Sequence, residues 1–367
     1  MSLVRSIPVV VTFTKKMLIG ICGAKCAGKS TVAQYLIDHH GFKKLHLEPQ
    51  HEARLYGSGS EVESPSSDAA KPGSPDLHGK RTSPSHTFSS TEALLDFVTK
   101  QWRSRWVTTD VQNEAALESL SRRPFFILLS VDAPLLVRWH RYQWRSSNAV
   151  TLEDFVSQSD AHLYSATSGV LPLMSRAAVR LLNTSSDLAH LYATLGKLDL
   201  TNPDRLRPSW DSYFMSLASL AAQRCNCMKR AVGCVLVDSK HHVVSTGYNG
   251  TPRHLLNCGE GGCPRCNAGE GSGASLSTCL CLHAEENALL EAGRERIRDG
   301  SVLYCNTCPC LTCSIKIVQV GISEVVYNQG YSMDTDTAQV FRNAGIKLRQ
   351  FSPPANGLIH LEKMELF

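Results

Sequence analysis

The chain has 367 residues, 43% of them hydrophobic and 7% aromatic, with a formal net charge of +5. That length and apolar content can fill two globular cores, while the charge falls short of the concentrated basic surface of a nucleic-acid binder and suits small anions instead. No apolar run of about 18 residues is present, and residues 1–16 carry neither a sustained apolar core nor a small-residue cleavage site, so a membrane protein or a secreted one is not expected. The expectation is a soluble, cytoplasmic protein, with the nucleus as a second compartment open to it.

Met17 opens the first well-patterned segment, and residues 1–16 read as an extension or a start-site artefact. From there "MLIGICGAKCAGKSTVAQYLIDHHGF" runs an apolar strand into a Gly-rich turn and then a helix ending at Gly41. Gly23 to Ser30, "GAKCAGKS", matches G-x-x-x-x-G-K-[ST], a loop whose backbone amides cradle phosphates, whose lysine reaches the terminal groups and whose hydroxyl holds magnesium. Gly23, Gly28, Lys29 and Ser30 are therefore candidate phosphate-site residues, with Mg2+ accompanying the nucleotide. Gly57 to Ser90 is rich in Ser, Pro and Gly. It has too little apolar surface to offset the cost of ordering, and reads as a disordered insertion. Helices are expected near Thr91–Trp102 and Gln112–Leu120. "PFFILLSVDAP" (Pro124 to Pro134) follows as a strand buried on both faces, and helices follow that through Leu195. Strands alternating with helices predict a parallel α/β domain over residues 17–198.

The polar junction "DLTNPDRLRPSW" (Asp199 to Trp210), with its two prolines, marks a boundary. A second domain over 208–353 starts with a helix at Trp210–Ala222 and a strand pair at Ala231–Asp238 and His242–Gly250. A Cys/Gly-rich loop fills Thr251 to Cys281. Then come a helix at His283–Ala292, a strand at Ser301–Asn306, a helix at Cys310–Val320, a strand at Glu324–Asn328, a helix at Asp334–Ala344 and a strand at Lys347–Phe351. This order makes a sheet covered on both faces, and 354–367 reads as a tail.

Twelve of the fourteen cysteines lie between Cys225 and Cys313, which in an intracellular chain points to metal ligation before disulfides. Zinc catalysis needs three protein ligands and one open position, so that a water can be ionised near neutral pH. His283, Cys310 and Cys313 supply that count. "PCLTC" puts both thiolates on the first turn of a helix, where dipole and metal favour the charged form. "HAE" sets His283 at the start of a facing helix and leaves Glu285 free to carry protons. A purely structural zinc ribbon would use CxxC pairs and have no need of the glutamate. Cys305 and Cys308, a second CxxC just upstream, are assigned to packing.

H-x-E followed by P-C-x-x-C is the known signature of zinc-dependent nucleobase deaminases. Together with "RPSWDSYFMSLASLAAQRCNCMKRAVGCVLV", "GYNGTPRH", "NCGEGGCPRCN", "LCLHAEENALLEAGR" and "CPCLTCSIKIVQVGISEVVY", it makes residues 207–351 resemble the deoxycytidylate (dCMP) deaminases, the fungal ones closely. The resemblance implies a cytidine-deaminase-like α/β/α sandwich and a hydrolase of the cyclic amidine C–N bond that takes dCMP to dUMP for thymidylate synthesis. It also implies a homo-oligomer and feedback control by dCTP and dTTP. Glu285 would take a proton from the attacking water and pass protons to the ring nitrogen and the departing amine. Asn249 resembles the asparagine that holds the sugar, although a turn residue before Gly250 would look the same. Arg230 and Arg253, with Lys229, flank the expected pocket as candidates for the substrate phosphate, although any one of them reads more readily as a solvated cation. Among the cysteines that remain are Cys227, Cys258, Cys263, Cys266, Cys279 and Cys281. The resemblance implies that a second, structural zinc can sit near these segments; by position Cys227, Cys258 and Cys281 look like its ligands, with a fourth from the loop cysteines, among which "CPRC" (Cys263 and Cys266) has CxxC spacing.

The first half resembles, more weakly, P-loop kinases of the dephospho-CoA and nucleoside monophosphate kind. "SVDAPLLVRWHRYQWR" places Asp132 after a buried strand and Arg138, Arg141 and Arg145 like lid arginines, or like an ordinary solvated helix face. The predicted fold is thus an N-terminal P-loop α/β domain followed by the deaminase-like sandwich. The alternatives are a deaminase of RNA or another nucleobase, which would want a more basic and aromatic surface; a zinc-stabilised binding module without turnover; and a bifunctional enzyme whose P-loop half is a kinase.

Overall fold

The computed structural model describes residues 16–48, 86–145, 150–185, 187–271, 274–330, 334–354 and 357–361. The chain forms two compact units, one of Met1–Leu206 with Ala355–Phe367, the other of Arg207–Pro354.

The first unit comprises β1 (Leu18–Gly23), α1 (Lys29–His40), β2 (Lys43–Leu47), β3 (His86–Phe88), α2 (Thr91–Lys100), β4 (Trp106–Thr108), α3 (Glu114–Ser121), β5 (Phe126–Asp132), α4 (Leu135–Arg145), α5 (Leu152–Tyr164), α6 (Leu171–Ser175), β6 (Val179–Leu182) and α7 (Leu188–Leu198). All of β1 and nearly all of β5 are buried, as a strand covered on both faces demands. The wholly parallel seven-stranded sheet has the order β12-β6-β5-β1-β4-β2-β3. Here β12 is Gly357–His360, so part of the predicted tail 354–367 is an edge strand, paired with β6. Two further expectations are corrected. The run of helices through Leu195 is interrupted by β6, and the end of the predicted insertion 57–90 holds β3 and the N-cap Ser90, whose Oγ accepts from Ala93 N at 3.2 Å; residues 57–85 lie outside those described.

The second unit has α8 (Trp210–Ala222), β7 (Gly233–Val237), β8 (Val243–Tyr248), α9 (Pro264–Asn267), α10 (Ala284–Ala292), β9 (Val302–Thr307), α11 (Leu311–Gln319), β10 (Glu324–Gln329), α12 (Asp334–Asn343) and β11 (Lys347–Gln350). The five strands run β11-β10-β9-β7-β8, with β7 antiparallel to both neighbours and β9, β10 and β11 parallel. Alternation along β7 divides the core. Val235 and Val237 pack with Phe214, Met215 and Ala218 of α8, whereas Cys234 and Leu236 face Ala284 and Ala288 of α10 and Ile317 of α11. Each such large side chain contributes about 1.5–3 kcal/mol by burial. Gly247 lets α10 lie unusually close to β8, since a methyl there would overlap the Ala284 carbonyl oxygen. Among the described residues no helix is long and apolar enough to cross a membrane.

Candidate active site

Two helix starts meet in the second unit. His283 is the N-cap of α10 and Cys310 the N-cap of α11, both extended in backbone, with Cys313 one turn into α11. His283 Nδ1 lies 3.3 Å from Cys310 Sγ and 3.3 Å from Cys313 Sγ, and the three ligand atoms lie within 4.8 Å of one another. Tetrahedral zinc, with Zn–N of about 2.0 Å and Zn–S of about 2.3 Å, sets N···S near 3.5 Å, so the donor set fits. A short chain of contacts fixes the two helix starts. Glu286 accepts from the His283 backbone N–H at 2.8 Å, closing a capping box, and its other oxygen pairs with Lys316 of α11. On the far side, Gly250 and Leu282 exchange two backbone hydrogen bonds (3.1 and 2.8 Å), and Ser245 donates to the Ala288 carbonyl at 2.7 Å.

The electrostatics suit a cation. Hydrogen bonds from Cys313, His283 and Thr312 pull Cys310 down to about 3, against its burial. Donating to Cys310, together with burial, holds the Cys313 thiol protonated while no metal is bound, and contact with Cys310 raises His283. Glu285 is only 3% exposed; burial raises its carboxyl, and its side chain hydrogen-bonds with Cys313. A buried carboxyl, its proton affinity raised by that burial, therefore sits against the ligand set without joining it. Cys305 and Cys308 are buried in and just after β9, and neither belongs to a convergent ligand group among the described residues.

Residues 208–329 match the family described as the cytidine and deoxycytidylate deaminase zinc-binding region. A deoxycytidylate deaminase of Schizosaccharomyces pombe is 46% identical over 344 residues, covering 93% of this chain and 99% of its own. The chain belongs to the deoxycytidylate deaminase family. The enzyme of that name from Saccharomyces cerevisiae is 42% identical, over 92% of this chain and 97% of its own. A solved dCMP deaminase of cyanophage S-TIM5, in complex with dCMP and dUMP, is 29% identical over 40% of this chain and 98% of its own, with a TM-score of 0.32. The two fungal relatives match far more than the zinc-binding region, which makes the first unit a shared part of these family members.

Around the ligand set, Asn249 is 6% exposed. Its Oδ1 accepts from Val232 N at 2.8 Å and its Nδ2 donates to Arg230 O at 2.7 Å, so the amide holds the Arg230–Val232 segment in place. The Gly250–Leu282 bridge then sets this residue beside His283. Arg253 is highly exposed and pairs with Glu291 at 3.2 Å, Lys229 donates to the Glu270 carbonyl at 2.8 Å, and Arg230 Nη2 is 3.5 Å from Gln329 Oε1. In the loop, the thiols of Cys227, Cys258, Cys266 and Cys281 converge within 4.8 Å, which names Cys266 as the fourth member of the predicted set. Sequence reasoning missed Cys279, which converges with Cys263, Cys266 and Cys281, and the Glu286–Lys316 tie, whose only signal was a glutamate three residues after His283.

In the first unit, Gly23 to Ser30 joins β1 to α1 where the strand order reverses, the crevice in which α/β sheets bind ligands. Gly28 has φ 107°, a left-handed conformation that favours glycine. Lys29 Nζ donates to Gly23 O and Ala24 O at 2.8 and 2.9 Å, and burial lowers its ammonium. Arg138 is buried, bonded to Ala133 O and Ser159 Oγ, and Arg141 binds Ala27 O and Ser185 O. Only Arg145 of the three lines the cleft formed by Cys26 to Thr31.

Proposed function

We propose that this chain hydrolyses dCMP to dUMP and ammonia, with zinc held by His283, Cys310 and Cys313 and protons moved by Glu285. The single observation that carries the assignment of residues is the convergence of those three ligands on one point against a buried carboxyl that is not itself a ligand. When bound, zinc supplies the acidity that ionises a water near neutral pH. Glu285 accepts the proton that the water gives up and returns it to ring nitrogen 3 as the water oxygen bonds to carbon 4. It then serves the departing amine, so that the C4–N bond breaks, C4=O forms and ammonia leaves. The backbone around Asn249, pinned to Leu282, positions that amide for the sugar, and Arg230 and Arg253 are the nearby cations offered for the monophosphate. Ammonia release from dCMP, compared with dCTP, cytidine and a short single-stranded oligonucleotide, tests the reading in wild type and Glu285→Ala. Activity confined to the oligonucleotide, or undiminished in the variant, would overturn it.

The same reading includes a structural zinc on Cys227, Cys258, Cys266 and Cys281, feedback by dCTP and dTTP, and assembly into a homo-oligomer. Zinc analysis, effector titration of the deamination rate, and light scattering check these in turn. For the first unit, the open N-terminus of α1, the inward Lys29 and the adjacent Arg145 favour a nucleotide-phosphate site at Gly23, Gly28, Lys29 and Ser30, with Mg2+. Absence of ATP or dCTP binding to the full chain in the presence of Mg2+ would remove it.

A further inference from the structure

The loop thiols form two overlapping groups. Cys227, Cys258, Cys266 and Cys281 make one set, Cys263, Cys266, Cys279 and Cys281 the other, and the ligand atoms within each set lie within 4.8 Å of one another. Cys266 and Cys281 belong to both. All six are free thiols. A single tetrahedral zinc takes four sulfurs, and with Zn–S of about 2.3 Å it spaces them about 3.8 Å apart; Cys263 Sγ and Cys279 Sγ stand 3.9 Å apart. One zinc on the first set would therefore leave a correctly spaced pair, buried Cys263 and half-buried Cys279, without an ion. Six donors with two in common is the count required by two tetrahedra that share an edge.

We propose that this loop holds two zinc ions in one binuclear thiolate cluster, with Cys227 and Cys258 terminal on the first ion, Cys263 and Cys279 terminal on the second, and Cys266 and Cys281 bridging. The proposal rests on the structural-zinc reading above and adds the second ion. Independent contacts agree with it. The Cys266 thiol reaches both Cys258 and Cys263, one terminal ligand from each end, and the Leu280 N–H points at Cys263 Sγ at 3.4 Å. Arg265, buried, is held by the carbonyls of Ala274 (2.7 Å) and Gly271 (3.0 Å) so that Nη1 lies 3.9 Å from Cys279 Sγ. Binding two Zn2+ releases six thiol protons and leaves the cluster with two negative charges, one of which the Arg265 guanidinium offsets. The surrounding chain supplies little other order. Among the described residues it has only α9 and two single-turn 3-10 segments, and its buried cluster consists of the cysteines themselves, so metal binding here is folding free energy.

Elemental analysis of the purified full-length protein is expected to give about three zinc ions per chain, one catalytic and two in the cluster. Two per chain would overturn the cluster and leave a single structural zinc; one would overturn both. Cys279→Ser and Cys263→Ser are each expected to lower the count by one. Because either variant could fail to fold, the wild-type protein is also exchanged with cadmium. Besides the separate signal of the catalytic site, cadmium NMR is expected to show two thiolate-bound signals scalar-coupled through the bridging sulfurs, and loop signals without that coupling, or a single loop signal, would refute the shared ligands.

Discussion

Replacing Gly247 with alanine tests whether the approach of α10 to β8 sets the active-site geometry. The added methyl would overlap the Ala284 carbonyl oxygen, sit 2.5 Å from Ala288 N and lie 3.0 Å from the Ala288 side chain. Comfortable contact for such atoms begins near about 3.5 Å, so α10 must retreat by about 1 Å. The obstacles include backbone, and the helix cannot sidestep them by changing a rotamer. Overpacking of this kind costs roughly 1–3 kcal/mol, which for a unit of this size lowers Tm by roughly 2–12 °C. The same shift carries His283 and Glu285 away from Cys310 and Cys313, and a displacement near 1 Å at a reacting centre costs on the order of 100-fold in rate. Differential scanning calorimetry and a dCMP deamination assay on the variant read both effects. Gly196→Ala in α7, where the methyl would meet only the Tyr35 hydroxyl at 3.6 Å, is the control and is expected to be neutral or slightly stabilising. Unchanged turnover and Tm in Gly247→Ala would refute the claim that close packing of α10 holds the site.

Glu285→Gln is expected to lower kcat by roughly 100- to 10,000-fold with zinc content unchanged, and loss of metal along with activity would make it a ligand instead. Arg349 forms two hydrogen bonds with Asp211 (2.7 and 3.0 Å) and a third with Glu324 (2.9 Å), and Tyr304 donates to Asp211 at 2.8 Å; Arg349→Met is expected to cost about 1 kcal/mol at neutral pH, a partly exposed network being screened by solvent. The Arg349 hydrogen bond lowers the Asp211 carboxyl. The network's contribution is therefore present above the unfolded carboxylate value of about 4 and lost as pH falls through the depressed folded one, so urea titrations of wild type and variant should converge only below about pH 4. Lys29→Ala is expected to weaken nucleotide binding to the full chain at least tenfold while dCMP turnover without effector persists, and equal affinity in calorimetry would show that Lys29 does not touch phosphate.

The deaminase half was legible because its chemistry and its secondary structure coincide. His283 and Cys310 are at once the predicted ligands and helix N-caps, and the continuous apolar run of β7 marks a strand buried on both faces. The short strands of the first unit were not legible, since β3 and β4 have three residues each and β6 and β12 four, too few for a pattern to emerge, and β12 is recruited from far along the chain. Arg138 was misread for a related reason. A basic helix face looks solvated in one dimension, yet its guanidinium is buried by bonds to Ala133 and to Ser159, the latter on a separate helix. The convergence of Cys266 with Cys227, Cys258 and Cys281, and the overlap with Cys279, depended on the path of a Gly-rich loop that has no periodicity to read.

The loop and the active site share three residues of chain. Cys281 ends the cysteine cluster, Leu282 exchanges two hydrogen bonds with Gly250, and His283 is the proposed histidine ligand. Cys227 closes the same circuit from the other side. Its thiol contacts Cys281, and the adjacent Asn226 Oδ1 accepts from Thr251 N at 2.9 Å. Metal held by the loop, as proposed above, would therefore fix the strand end that presents both Asn249 and His283. Cys281→Ser, which touches neither substrate nor the catalytic ligands, is expected to lose loop zinc and to lower kcat for dCMP by tenfold or more, the direction set by a misplaced His283. Serine at Cys279, at the far end of the loop, should lose metal with a smaller effect on kcat. Equal losses in the two variants would mean that loop metal supports the fold as a whole, and that Leu282 does not transmit its position to the active site.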